Sequence, residues 1–352
     1  MRMLVRARNA TIACEGDHLC APEGKFDVVL DCREAEVRPG LINSHEHLHR
    51  NHYGRLGRPP YRNAAQWARD IQERHRRRIA AGRKVARREA YLAGAWKNLF
   101  AGVTSAVHHD PWDDELAREF PLRVVRVAND DSVALTPALG ASRKRGSPYA
   151  LHLAEGTDEQ AASEIDTIAR VGLLDRHLLA VHVVGPGVEG GDRLRRSGAA
   201  LVWCPSSNFF LFGRTAPASL LQGRTDILLG SDSLLTGAGN LLDELRFARA
   251  TGHLDDERLE AAVGKTAARR LGLAPPVLEP GGVADFVLLT APLLQSAARH
   301  VRLTVAAGVP RVADPELARQ LERSGISGER RVVGGVTRWT RAANKPLDRG
   351  SQ

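Results

Sequence analysis

Apolar and polar positions along the chain follow two different periods, and the change of period predicts the elements. LVRARNATIA and FDVVLD carry β-branched residues in an alternating pattern, as in short strands, and glycines and prolines break the pattern between them. Between residues 61 and 100 apolar residues recur at the three- and four-residue spacing of a helix, which Gly102 ends. The pattern therefore predicts short strands over 1–40 and helix over 61–100.

After residue 40, apolar strands and helical segments alternate, which is typical of a parallel sheet covered by helices. Seven barrel-type strands can be assigned between residues 41 and 231, and Ser132–Thr136 is the candidate for a brief eighth. We therefore expect an α/β protein with a (β/α)8 barrel of the TIM type in which one unit is abbreviated. The polar stretch from Asp314 onward is hard to assign, and its end, KPLDRGSQ, is predicted to be disordered.

Composition narrows the class of protein without identifying a function. The chain has 352 residues, 43% of them hydrophobic and 26% charged, as in an ordinary globular protein. It contains no run of about eighteen apolar residues, so no membrane span is expected. The start, MRMLVRARN, interrupts its apolar residues with arginines, unlike a signal peptide. The four cysteines form no CxxC pair, so a reducing cytoplasm is the expected location.

The net charge of +9 has two interpretations. One is a polyanionic partner such as nucleic acid, and the other is a solvated basic surface. The densest basic run, residues 74–88, has no interleaved aromatic side chains to stack on bases, which favours the solvated surface. A non-catalytic, nucleic-acid-binding protein remains the alternative from a different class.

Polar side chains that end apolar strands are informative, because barrel enzymes carry their sites at the C-terminal ends of the strands. His45 and His47 stand at i and i+2 of one strand, so both imidazoles face the same side, as a divalent metal requires. His152, His182 and Asp232 end three further strands. Alone, each has an ordinary interpretation as a core histidine or a cap. Together they predict a zinc or iron site with room for water.

Glu155 lies three residues after His152, where strict alternation would aim its side chain away from the site. It faces the site only if the strand ends or bulges near Ala154. The alternative is an acid at a helix N-terminus, favoured by the helix dipole.

Seven segments of the chain resemble the amidohydrolase superfamily, and within it the branch of cytosine and guanine deaminases and triazine chlorohydrolases. In order from about residue 37 to 290, they are PGLINSHEHLH, AGVTSAVHHD, LHLAEGTDE, WCPSSN, LLGSDS, KTAARRLGL and LEPGGVADFVLL. The His-x-His pair and the strand-ending Asp are general to the superfamily, whereas LHLAE and CPSSN are typical of the deaminase branch.

The resemblance implies an architecture and a set of roles. A barrel would span 41–279, and a small β-sandwich domain would be built from 1–40 and 280–352, the latter including the tail. One divalent metal ion, zinc or iron, would be held by His45, His47, His152 and Asp232. Catalysis would fall to Glu155, His182 and again Asp232. A homodimer is also implied.

Other positions bear on substrate and metal count. Substrate contacts are predicted for His108, His109, Trp203 and Asn208, with Trp203 standing where many members of the superfamily have a histidine. Binuclear members bridge two metals with a lysine on a middle strand. Here Lys97 falls in a helix and Lys144 in a loop, so a single metal is favoured.

The predicted reaction is hydrolytic deamination of a small aminated N-heterocycle of purine, pyrimidine, pterin or triazine type. Metal-bound hydroxide would attack the amino-bearing carbon, and Glu155 would protonate the neighbouring ring nitrogen. Asp232 would carry a proton from the water to the departing ammonia, while His182 steadies the attacking oxygen. Hydrolysis of a cyclic amide, an N-alkyl amine or an aryl halide is the alternative within the same chemistry.

Overall fold

The computed structural model describes residues 1–112, 114–117, 119–133, 135–136 and 138–342, and the segment KPLDRGSQ lies outside them. The described chain is an α/β structure with parallel sheets in the middle of the sequence, as predicted. Among these residues, no helix combines the length and apolar character that crossing a membrane requires.

The described residues form eighteen strands, distributed over the whole length of the chain. They are β1 (Arg2–Ala7), β2 (Thr11–Glu15), β3 (His18–Cys20), β4 (Val28–Cys32), β5 (Glu36–Pro39), β6 (Leu41–Glu46), β7 (Val103–His108), β8 (Arg123–Val125), β9 (Ala128–Ser132), β10 (Tyr149–Leu153), β11 (Leu178–His182), β12 (Ala200–Trp203), β13 (Ile227–Leu229), β14 (Phe286–Leu289), β15 (Val301–Ala306), β16 (Val309–Ala313), β17 (Glu329–Val333) and β18 (Val336–Thr340).

Helices separate most of the central strands. They are α1 (Ala64–Arg74), α2 (Arg76–Gly82), α3 (Arg87–Leu99), α4 (Asp114–Ala117), α5 (Glu159–Arg170), α6 (Gly187–Ser197), α7 (Pro205–Phe212), α8 (Ala218–Leu221), α9 (Leu241–Ala250), α10 (Asp256–Ala262), α11 (Lys265–Leu271) and α12 (Pro315–Arg323). Short 3-10 helices cover Leu48–Tyr53, Leu293–Gln295 and Ala298–His300.

The central strands pair in two parallel sheets, ordered β6-β7-β8 and β9-β10-β11-β12-β13. The outer strands β6 and β13 approach each other at their C-terminal ends, where the Asp232 N–H donates to the His45 carbonyl at 3.1 Å. Every residue of β6, β7, β10 and β11 is buried. Such strands read as continuous apolar runs, so polar side chains at their ends stand out.

The abbreviated unit lies between β8 and β9, which follow each other with only Arg126 and Val127 between them. The extra strand is therefore Ala128–Ser132, whereas the sequence pattern placed it at Ser132–Thr136. The sequence LRVVRVAND carries no glycine or proline to mark the break, so it reads as one strand.

Both ends of the chain form a separate group of sheets. One is the mixed sheet β3-β2-β1-β4, and the other has the order β17-β18-β16-β15-β14-β5. Met3, Leu30, Phe286 and Leu317 meet in one apolar core between them. The stretch after Asp314, which the pattern left unassigned, folds as α12, β17 and β18, and Trp339 is buried in this core.

Close packing of α3 against the 3-10 helix Leu48–Tyr53 fixes the chain immediately after β6. At Gly94 of α3, a Cβ would lie 2.4 Å from the carbonyl oxygen of Leu48 and 2.6 Å from its Cα. Only a glycine fits there, because backbone atoms cannot move aside as a flexible side chain can. Since Leu48 follows His47, this contact also positions the His-x-His segment.

We expect Gly94→Ala to lower the free energy of unfolding by about 1–3 kcal/mol through overpacking, although alanine has the better helix propensity. Gly191→Ala is the matched control, since it is also buried inside a helix and its Cβ would meet Pro186 Cγ at 3.8 Å. That control should raise stability by about 0.5–1 kcal/mol. Urea unfolding of both variants measures the difference, and equal stability of the two would contradict the tight contact.

Candidate active site

The C-terminal ends of the parallel strands carry a cluster of buried imidazoles with one carboxylate. Its members are His45, His47, His109, His152, His182 and Asp232. The ring centre of His45 lies 4.9 Å from that of His47 and 4.9 Å from that of His152. The ring centre of His182 lies 5.5 Å from that of His45. The strand-ending residues singled out in the sequence are therefore brought together.

Left-handed backbone at three strand ends turns these side chains toward one another. The φ angles are +49° at Ala154, +70° at His182 and +51° at Asp232. Each costs about 1–2 kcal/mol for a residue with a Cβ. Because β10 ends at Leu153 and Ala154 is left-handed, Glu155 turns back toward the site, with its Oε1 3.5 Å from His182 Nε2.

The imidazole ring of His45 lies at the centre of the cluster and has no hydrogen-bond partner among the described residues. Its side chain is fully buried, and neither ring nitrogen has a partner among the described residues. Burial and the neighbouring imidazoles hold the pKa of His45 well below its ordinary value. The ring is therefore neutral and keeps a lone pair, which is the state in which histidine binds a metal.

The outer nitrogens of three other imidazoles are fixed by oxygen atoms of the chain. His47 Nδ1 lies 2.5 Å from Asp110 Oδ2, and His182 Nδ1 lies 2.8 Å from Asn208 Oδ1. His152 Nδ1 is hydrogen-bonded to the carbonyl of Asp131. Donation from Nδ1 leaves Nε2 as the lone-pair nitrogen. Oxygen partners of this kind orient histidine ligands in metal sites.

Asp232 faces the imidazoles with one carboxylate oxygen and is held by the other. Its Oδ1 lies 3.9 Å from His45 Nε2 and 3.8 Å from His47 Nε2. Its Oδ2 accepts hydrogen bonds from Ser207 at 2.8 Å and Thr236 at 2.7 Å. Burial raises the pKa of this carboxyl, but the histidines and the hydroxyls outweigh it and lower the pKa to about 2. Three imidazoles and an ionised carboxylate suit a divalent metal ion.

A cavity of about 130 Å³ opens beside the cluster. Helix α1 forms its roof through Ala64, Ala65, Trp67 and Ala68. The indole N–H of Trp67 donates to the Leu56 carbonyl at 3.0 Å. Other lining side chains include Arg50, Ser132, Glu155, Gln160, Glu164, Ser233 and Thr236. This volume is smaller than the roughly 300–1,000 Å³ of typical small-molecule pockets.

Comparisons with known proteins agree with the resemblance in the sequence. No model of a known protein family matches the chain. A 5-methylthioadenosine/S-adenosylhomocysteine deaminase of Pyrococcus abyssi is 29% identical over 167 residues, covering 42% of this chain and 39% of the relative. The chain thus spans about two fifths of the length of the curated relatives it matches.

Solved structures match far more of the chain. An adenosine deaminase from Xanthomonas campestris with bound zinc superposes with a TM-score of 0.70 at 18% identity, over 92% of this chain and 96% of the other. A triazine hydrolase from Arthrobacter aurescens gives a TM-score of 0.67 at 16% identity, over 92% and 98%. At these identities the likeness shows a shared fold.

The resemblance to the amidohydrolase superfamily is confirmed. Of the residues that carry it in the sequence, His45, His47, His152 and Asp232 meet at the strand ends.

The four residues for which substrate contacts were predicted lie at different distances from the cavity. The ring of His109 packs 4.1 Å from that of His152, within the cluster itself. The ring of His108 faces away, and its Nδ1 accepts from the Leu48 N–H at 3.2 Å. Trp203 is fully buried and donates to Thr215 at 2.7 Å, while Asn208 holds His182. None of the four is among the residues that line the described cavity, and their contact with substrate stays a prediction.

Sequence reasoning missed several residues at the site. Asp110 follows the strand end VHHD, so the rule that found the other residues applied to it as well. Arg50 lies next to it and pairs with Asp110 Oδ1 at 2.5 Å. Gln160 and Glu164 lie on α5 and reach the cavity from the side of the helix, so no strand-end signal marks them.

Glu164 makes the stability of the metal-free protein dependent on pH. Burial raises the pKa of this carboxyl to about 7, and Glu155 contributes by its charge. The folded state therefore holds a proton that the unfolded chain releases near pH 4.5, so stability falls as pH rises from about 4.5 to 7. A glutamine at position 164 does not ionise, so this fall in stability is absent. Its side-chain oxygen still accepts a hydrogen bond from the Ala154 N–H.

We expect Glu164→Gln to match the wild type below pH 4.5 and to exceed its free energy of unfolding by about 1–2 kcal/mol at pH 8. Thermal or urea unfolding of chelator-treated protein across this range measures the difference. Glu159→Gln, an exposed change on the same helix, is the control and should give a difference that does not vary with pH. A constant difference for Glu164→Gln would contradict the raised pKa.

Proposed function

We propose that this protein is a metal-dependent hydrolase and that it removes ammonia from an aminated N-heterocycle. The observation that carries the proposal is the cavity in which Glu155 and His182 lie beside the cluster of His45, His47, His152 and Asp232. A binding protein has no need of a carboxyl group placed to move protons, whereas a hydrolase does.

One divalent ion, zinc in preference to iron, is proposed at His45, His47, His152 and Asp232. The support is the donor set: three buried imidazoles, of which His45 and His152 have lowered pKa values, a carboxylate of low pKa, and the two ring nitrogens of His45 without a partner among the described residues. A metal bound there would supply hydroxide near neutral pH, since it lowers the pKa of coordinated water to about 7.

Side chains around the cavity are placed to donate and accept the protons that this reaction transfers. Burial raises the pKa of Glu155, which favours the protonated carboxyl that donates to a ring nitrogen next to the attacked carbon. Asp232, ionised and facing the cluster, accepts the proton of the attacking water and delivers it to the departing amine. His182 accepts a hydrogen bond from the attacking oxygen through Nε2, because Asn208 fixes its Nδ1. Water and C(NH2)=N become C(=O)–NH and ammonia, and the second proton of the water restores the Glu155 carboxyl group.

A second candidate differs only in the leaving group. The fold is shared with a triazine hydrolase as well as with an adenosine deaminase, so amine or halide release from a triazine is the alternative. A screen of aminated purines, pyrimidines, pterins and triazines, read out as ammonia, alkylamine and chloride separately, distinguishes the two.

Several finer predictions join this proposal. The two parallel sheets would form one closed eight-stranded barrel over 41–279, supported by the contact between β6 and β13. The sheets of 1–40 and 280–352 would form a β-sandwich domain, supported by their shared apolar core. The predicted homodimer and cytoplasmic location stay predictions.

We expect protein purified without added metal to contain about one zinc or iron ion per chain by elemental analysis. His45→Ala should lose it, since His45 is central to the cluster. His18→Ala, which removes an exposed histidine of β3, is the control and should keep it. Full metal content in His45→Ala would refute the proposed ligands, and two ions per chain would refute the mononuclear site.

We expect Glu155→Gln to keep its metal and to lose turnover by about 10²–10⁴-fold, the usual contribution of a positioned acid or base. Ammonia release, measured beside metal content, is the test. Glu159→Gln, on the exposed face of α5, should retain both. A near-normal rate in Glu155→Gln would eliminate the proton-transfer role.

A further inference from the structure

Lys97 is a buried lysine directly behind the cluster. It lies on α3, only 4% exposed. Its Nζ is 2.7 Å from Glu46 Oε2, 2.8 Å from the Asp232 carbonyl oxygen and 3.2 Å from Ser231 Oγ. The three donors of the ammonium group therefore have three acceptors, and two of these belong to the segment after β13.

Glu46 stands between His45 and His47, and its side chain points to the opposite face of β6. It is fully buried. Besides Lys97, its oxygens accept hydrogen bonds from Asn98 Nδ2 at 2.9 Å and Asn51 Nδ2 at 3.0 Å. Outward positions on a parallel strand covered by helices are ordinarily apolar, so a charge at this place is unusual.

The ion pair connects the two strand ends that carry three of the four proposed metal ligands. Lys97 contacts the carboxylate between His45 and His47 and the backbone carbonyl of Asp232, which lies 186 positions after Glu46 in the chain. Asp232 has left-handed backbone, so its carbonyl direction depends on outside support. The Asn51 Oδ1 atom accepts from the Leu234 N–H at 3.1 Å and extends the same network past Asp232.

A buried ion pair of this kind adds little to the free energy of unfolding. Desolvating two charges can cost as much as their attraction returns, and apolar side chains of similar volume are often as stable. A role in positioning explains its presence better. We propose that the Lys97–Glu46 ion pair sets the position of Asp232 relative to His45 and His47, and thereby the affinity and geometry of the metal site. The inference rests on the proposed function only in taking these residues as ligands.

The test separates positioning from stability by replacing both charges. In Glu46→Leu/Lys97→Met no unpaired charge remains, so the melting temperature of metal-free protein should stay within a few degrees of the wild type. The zinc dissociation constant, measured by competition with a chromophoric chelator, should rise about 10–100-fold, as for other residues that support metal ligands. The visible spectrum of the cobalt(II)-substituted protein should change as well.

Controls are available within the chain. Glu257→Leu/Lys265→Met removes an exposed Lys–Glu pair with an Nζ–Oε1 distance of 3.1 Å and should leave zinc affinity and the cobalt spectrum unchanged. If Glu46→Leu/Lys97→Met does not fold, Glu46→Gln, which keeps the shape and removes one charge, should weaken zinc binding in the same direction.

Wild-type affinity and spectrum in the folded double variant, or in Glu46→Gln, would overturn the inference. A wild-type protein that binds no metal would overturn both this inference and the proposed function. Because neither readout depends on turnover, a protein that binds zinc but releases no ammonia would refute only the deaminase proposal.

Discussion

Burying several imidazoles beside a carboxylate costs free energy unless their lone pairs and charge find partners, and the rest of the site is arranged around this constraint. The chain satisfies the outer nitrogens of His47, His152 and His182 with its own oxygens. Both ring nitrogens of His45 have no partner among the described residues. A cation at the centre would relieve the cost, so the arrangement that lowers the stability of the empty protein is the one that favours a metal.

The backbone conformation that holds this arrangement lowers the stability of the folded protein. Three residues at strand ends, Ala154, His182 and Asp232, have left-handed backbone, which persists only where the surroundings determine it. Helix α3 is central to that support. It approaches the chain after β6 closely at Gly94, and it carries Lys97 into the gap between β6 and the segment after β13. The left-handed backbone thus lies at the site itself, and the buried Lys97 lies behind it.

The end sheets also contribute to the position of the site. Strand β5 belongs to the six-stranded sheet and leads through Gly40 directly into β6. The Gly40 N–H donates to the Asp285 carbonyl at 2.9 Å, and a Cβ at this position would lie 2.3 Å from Thr104 Oγ1. The strand that carries the two histidines is therefore fixed at its start by the end sheets and at its end by α3.

Much of the fold and of the cluster could be predicted from the sequence. Buried parallel strands read as apolar runs, so the polar residues that end them, such as His45, His152 and Asp232, are visible in the sequence alone. The break between β8 and β9 was not visible, because no turn residue marks it. The elements after Asp314 were not visible either, since their polar pattern becomes interpretable only where Trp339 meets the core.

Lys97 shows what the sequence determined by itself and what only the tertiary structure decided. The sequence placed it on a helix, which is correct, and gave no reason to connect it with the site. Its contacts with Glu46 and Asp232 bridge 51 and 135 positions of the chain. Local patterns encode which face a side chain takes on its own element. Only the packing of α3 against β7 and the 3-10 helix Leu48–Tyr53 decides which distant groups that side chain reaches.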